Sequence, residues 1–196
     1  MNRISLAALL SALTLSGCIA PTGPVEVTRF HQVDLAPLGH GAIAVEPAPG
    51  TNVGSLEFAS YAAAVARQLV RLGYSEAAPG TGAQVAVVRL DRHRFRPERN
   101  RSPVSVGIGG STGSYGSGVG LGVGIDLSGR PPAQVETELA VTIKPRAASM
   151  ALWEGRAHFT VRADSPLADS QLGAARLAEA LFSGFPGNSG ETIEVK

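Results

Sequence analysis

Apolar residues recur along this chain with two distinct periods. In the segment from Leu56 to Leu72, Phe58, Tyr61, Ala62, Val65, Leu69 and Leu72 return at steps of three and four, which makes one helical stripe. Ser55 suits the N-cap, Glu57 the positive end of the helix dipole, and Gly73 the left-handed stop. A second helix is predicted from Ser165-Pro166, with Leu172, Ala175, Ala178, Leu181 and Phe182 as its stripe and Gly184 with Pro186 ending it. The other period is two. Val135–Lys144 puts Leu139, Val141 and Ile143 on one face and Glu136, Glu138 and Thr142 on the other. Ala151–Ala163 alternates likewise, with Trp153, Ala157, Phe159 and Val161 opposite Glu154, Arg156, His158, Thr160 and Arg162. Further strands are predicted at Val25–Val33, Gly41–Glu46, Ala83–Leu90 and, as a short edge, Gly190–Lys196. The parity of Ala86, Val88 and Leu90 also takes in Arg92, so the third of these leaves the core after Leu90.

Strands with one apolar face and two one-sided helices have a simple packing solution. The fold class predicted is α+β: a two-layer sandwich, a mostly antiparallel sheet with two helices on one face and the charged face in water. Segment 102–129 stands apart. Val104, Val106 and Ile108 alternate with Ser or Gly, then Val119, Leu121, Val123 and Ile125 alternate with Gly, on either side of a glycine-rich tip. A β-hairpin fits this pattern, and so does a glycine-rich surface loop. Of the 24 glycines in 196 residues, many fall here, so the enrichment is local. The chain has 17 Lys+Arg against 16 Asp+Glu, a balance that offers no general attraction for nucleic acid. No nucleic-acid partner is expected.

The first residues carry an address. Arg3 precedes an apolar run from Ile4 to Leu15, and the small residues Ser16 and Gly17 close it. That run is too short for a membrane helix, which needs about 20 residues. Leu15-Ser16-Gly17-Cys18 resembles the lipobox of bacterial lipoproteins. The resemblance implies that Cys18 is lipidated and becomes the N-terminus, and that Ile19, in place of an aspartate, directs the protein to the outer membrane. Cys18 is the sole cysteine, so no disulfide competes for it. The reading divides the chain into a signal peptide (1–17), a lipidated tether (18–24) and a single α+β domain (25–196). The tether reaches about 20 Å at most, which holds the domain close to the bilayer.

A second resemblance rests on the domain. Leu69-Val70-Arg71-Leu72-Gly73-Tyr74 leads into a Val-rich strand at Val85, Ala151-Leu152-Trp153-Glu154-Gly155 opens a late strand, and Phe182-Ser183-Gly184-Phe185-Pro186-Gly187 ends the last helix. Together these are similar to the small bacterial lipoproteins of domain-of-unknown-function family 4136. The resemblance spans nearly the whole mature domain and implies its fold and its anchor. It supplies no active-site residues.

Candidate chemistry is sparse. Arg92, Arg94, Arg96, Arg99 and Arg101, with Arg89, His93 and Phe95 among them, form a basic cluster. It suits an anionic surface, at about 1 kcal/mol per charge, or simply a solvated strand end met by Asp91, Glu98, Glu136 and Glu138. Gly109-Gly110-Ser111-Thr112-Gly113 matches G-x-S-x-G, and Asp126 or Asp164 with His158 would complete a serine hydrolase using Ser111. A nucleophile elbow needs a helix after the serine, and more glycine follows instead. The glycines complete neither a phosphate loop nor a dinucleotide fingerprint. His31, His40, His93 and His158 lack metal-ligand spacing, and Trp153 falls at a core position.

The expectation is therefore a lipid-anchored protein of the bacterial cell envelope, at the periplasmic face of the outer membrane. It is expected to bind or scaffold without enzymatic activity, cofactor or metal. Its partners would be the membrane through the N-terminal lipid, other envelope proteins or anionic lipid. The glycine-rich hairpin is the alternative seat of function, as an oligomerisation or membrane-contact element.

Overall fold

Alternation in the long strands turns one face of each inward, and the sheet is assembled on that face. The computed structural model describes residues 23–98, 104–113, 116–125 and 131–196, with side chains for 23–98 and 131–196. In chain order the elements are β1 (Val25–His31), β2 (Gly41–Pro47), α1 (Leu56–Arg71), β3 (Tyr74–Glu76), β4 (Gln84–Phe95), β5 (Val104–Gly113), β6 (Gly116–Ile125), β7 (Gln134–Pro145), β8 (Trp153–Arg162), a 3-10 turn at Pro166–Ala168, α2 (Ser170–Phe182) and β9 (Thr192–Val195). Seven strands form one sheet in the order β3-β2-β4-β7-β8-β1-β9. Only β2 pairs in parallel, with β3 and β4; the other four pairings are antiparallel. Helices α1 and α2 pack on the inner face and share one core with it. This is the two-layer α+β sandwich that the periodicity predicts.

Helix α1 follows the sequence closely. Ser55 caps it by accepting from the Phe58 amide at 3.3 Å, and Phe58, Tyr61, Val65 and Leu69 are buried. Burying each such side chain is worth roughly 1.5–3 kcal/mol. Gly73 ends it at φ +104, where a Cβ would stand 2.6 Å from the Gly39 carbonyl oxygen.

Helix α2 departs from expectation. Ser165 caps only the 3-10 turn, accepting from the Leu167 amide at 3.3 Å, and Asp169 caps the helix itself through the Gln171 amide at 2.9 Å. The buried stripe is Gly173, Ala174, Leu177, Ala178 and Leu181; Leu172 is 53% exposed and Ala175 is also exposed. Small residues on that stripe bring the helix close to α1. A Cβ on Gly173 would meet the Leu167 carbonyl oxygen at 2.7 Å and the Tyr61 hydroxyl at 3.3 Å.

Two other corrections concern strands. Strand β4 does not end at Leu90: it stays paired with β7 as far as Phe95 opposite Gln134. Strand β3, three residues long, was too short to show a period. The glycine-rich segment is a hairpin in its described part, β5 and β6 pairing antiparallel from Val104 opposite Ile125 to Gly113 opposite Gly116. It interrupts the β4–β7 connection, so it springs from the centre of the sheet at one end.

Candidate functional site

That end of the sheet gathers the charged residues. Along the inner face of β4 the order is Ala86, Val88, Leu90, Arg92, and at Arg92 the apolar layer gives way to the N-terminal ends of both helices. The Arg92 guanidinium donates to Glu57 in the first turn of α1, to the Ala168 carbonyl and, at 3.4 Å, to Ser170 Oγ at the start of α2. Ser170 Oγ donates in turn to Glu57 Oε1 at 3.0 Å. One arginine thus ties the sheet to both helices, and its Nε is buried without a partner. Nearby, burial pushes the Tyr61 phenol above its ordinary pKa.

The basic cluster is therefore not uniform. Arg92 is half-buried and engaged, while Arg94 and Arg96 are exposed. Arg99 and Arg101 lie outside the described residues. A cleft of about 300 Å³ opens here between Glu57, Arg92, Arg94, Val135 and Ala168. A second, of about 380 Å³, shares Glu57 and runs under the Pro49–Asn52 loop to Arg89 and Asp91. Together they place exposed guanidinium groups at the rim and the Arg92–Glu57 pair in the floor.

The open face of the sheet carries an arrangement that depends on register. Asp91, Glu138, His158, Glu26 and Glu194 fall in one row across five strands. The adjacent row holds Arg89, Ala140, Arg156 and Thr28. Because Ala140 is small, a depression of about 360 Å³ lies between the two arginines, bordered by Glu138, Thr142 and Glu154. His93 pairs with Glu136 at 3.1 Å, and its ring centroid lies 5.6 Å from that of Phe95. Among the described residues, no group of three or more His, Cys, Asp or Glu has metal-binding geometry.

The other sequence candidates scatter. Cys18 and Asp126 lie outside the described residues. Ser111 is in β5, opposite Gly118, with no helix following it. Asp164 is held by Arg162 through two bonds of 3.0 and 2.8 Å, which depress its carboxyl pKa. His158 is half-buried in the acidic row. His40 Nδ1 meets the Leu38 carbonyl at 3.2 Å. Trp153 is core: it stacks on Phe182 at 5.4 Å, and its Nε1 donates to the Pro186 carbonyl at 3.0 Å.

Sequence reasoning missed Arg29. It shares the inward parity of Val25 and Val27, is 1% exposed, and donates to Glu191 Oε1 at 3.2 Å. Desolvation lowers its pKa, and Glu191 counters that. A Cβ on Gly187 would stand 2.6 Å from Arg29 Nη1, so the loop after α2 closes tightly over the guanidinium. His31 holds the same loop, its Nε2 lying 3.2 Å from the Gly187 carbonyl. The available signal was the strand parity, which already placed Arg29 among the buried valines.

No family model matches the chain. Among solved structures, a PDZ domain protein from Parabacteroides distasonis superposes with a TM-score of 0.49 at 8% identity, over 99% of this chain and 43% of that one. This chain thus spans less than half the length of that protein. A PelC dodecamer from Paraburkholderia phytofirmans gives a TM-score of 0.38 at 13% identity, over 80% of this chain and 96% of its own. Both scores lie below 0.5 and establish no shared fold. An uncharacterized protein of Zymomonas mobilis is 30% identical over 217 residues, covering 89% of this chain and 81% of its own. With that identity across most of both sequences, this chain and the Zymomonas mobilis protein belong to one family.

Proposed function

We propose that this protein is a lipid-anchored component of the bacterial cell envelope, held by acylated Cys18 at the periplasmic face of the outer membrane. In this reading its domain binds or scaffolds other envelope components and catalyses no reaction. We also assign it to domain-of-unknown-function family 4136, on the helix-stop, Trp-x-Gly and helix-end segments described above. The observation that carries the anchor is Leu15-Ser16-Gly17-Cys18 closing a charged-then-apolar leader, with Cys18 the sole cysteine. Several acyl chains, at about 0.8 kcal/mol per buried methylene, would bind far more firmly than one. The exposed Arg94 and Arg96 are suited to the anionic surface this would place within about 20 Å of the domain.

The test is Cys18→Ser, read by membrane fractionation and intact mass. Wild type should float with membranes and carry a mass increment at Cys18, and the variant should lack that increment and be held by membranes less firmly. A variant that stays membrane-bound with the same processed mass would overturn the anchor.

A further inference from the structure

The register of the glycine-rich ribbon brings its two alternating runs into phase. Val104 is opposite Ile125, Val106 opposite Val123 and Ile108 opposite Leu121, so these six positions share one face of the β5–β6 ribbon. The other face is Ser105 opposite Gly124, Gly107 opposite Gly122 and Gly109 opposite Gly120, which is almost bare backbone. Had the register slipped by one residue, each apolar position would have met a glycine, and neither face would be continuous.

Water is a poor medium for such an element. A two-stranded ribbon is marginal in water even with good strand formers, and interior glycines weaken it further. Among the described residues both outer edges are unpaired, since β5 and β6 form a sheet of two strands. Three quantities match a lipid bilayer instead. Each strand is 10 residues long, about 33 Å at the usual rise, against a hydrocarbon core of about 30 Å. From Ser102 to Ile125 the sequence has no Asp, Glu, Lys, Arg or His, while Arg99, Arg101, Asp126 and Arg130 flank it at its root. Apolar residues alternating with small or polar ones over about ten positions are the pattern of a membrane β-strand.

We infer that the β5–β6 ribbon crosses a lipid bilayer, its apolar face to the acyl chains and its two edges closed by the ribbons of further copies of this chain. Closure is required because an unpaired backbone donor has no partner in hydrocarbon. The inference goes beyond the lipid anchor and does not depend on it, since the ribbon's own length and charge pattern carry it. In the chain the ribbon is inserted between β4 and β7, the strands that supply Arg92, Arg94 and Val135 to the cleft, which would place Arg94 and Arg96 near the headgroups.

The experiment is amide hydrogen exchange on the full chain in vesicles of phosphatidylethanolamine and phosphatidylglycerol, compared with the Cys18→Ser chain in buffer. Vesicle flotation and cross-linking are read in parallel. Amides of 104–125 should exchange at least about tenfold more slowly in vesicles, and cross-linking should yield multiples of the chain. Val106→Arg with Leu121→Arg should abolish that protection, and Gly107→Ser with Gly122→Ser should keep it. Fast exchange in a chain that still floats would sink the ribbon while sparing the anchor. Equal protection in buffer would mean that protein, not lipid, covers the ribbon. Protection without cross-linked multiples would refute closure by copies.

Discussion

Gly155 lies beneath the indole of Trp153, two residues back on the same strand: a Cβ there would overlap the ring and stand 2.8 Å from Leu181 Cδ1. This gives the Trp-x-Gly segment a physical reason. The ring can lie flat along β8, stacked on Phe182 and bonded to Pro186, only because position 155 has no side chain.

Gly155→Ala should therefore destabilise the domain by about 1–3 kcal/mol, the usual cost of overpacking. Chemical denaturation followed by Trp153 fluorescence reads both the midpoint and the altered ring environment. An unchanged midpoint would mean that the ring moves aside at no cost.

Arg29 and Glu191 should respond unequally to truncation. Glu191→Ala leaves the buried Arg29 guanidinium without its carboxylate and should lower stability. Arg29→Met removes the charge with the stem largely kept and should cost less. The double variant should be no worse than Glu191→Ala alone, measured by urea midpoint. Additive losses would show that the two side chains act independently.

Acid should weaken the fold through Glu46 and Glu191, in addition to the exposed Asp164. The Arg146 bond at 2.7 Å and the Gly80 amide hold Glu46 below its ordinary value of 4.5, and bonds from Asn188, then Arg29, do the same for Glu191. The unfolded chain then takes up protons at higher pH than the folded one. Their contribution is complete above that ordinary value and is lost as pH falls through it toward the depressed folded values. Melting temperature between pH 6 and 3 should fall less steeply in Glu46→Gln with Glu191→Gln than in wild type.

The basic cluster should split by role. Arg92→Ala removes the bonds to Glu57, Ala168 and Ser170 and should cost about 1–2 kcal/mol of stability. Arg94→Ala and Arg96→Ala should leave stability within about 0.5 kcal/mol. In a chain that meets anionic lipid, each should weaken binding to phosphatidylglycerol vesicles about fivefold, from about 1 kcal/mol per charge. Vesicle sedimentation beside thermal melting separates the two effects.

Periodicity and end signals by themselves determined the long elements of this protein. Ser55, Gly73 and the stripe of α1 needed only local chemistry, and the alternation of β7 and β8 needed only one apolar face. Helix α2 was half legible: Ser165-Pro166 is a true start signal, but Asp169 provides a second, and the choice between them depends on what α1 can accommodate. Tertiary structure alone decided the rest. Strand register aligned Asp91, Glu138 and His158 in a row, and put both apolar runs of the ribbon on one face. Packing turned Arg29 and Arg92 from two bases among many into a loop clasp and a link to both helices. Sequence records the side on which a residue sits; which partner it meets there depends on chain brought from more than a hundred residues away, as Glu191 is to Arg29.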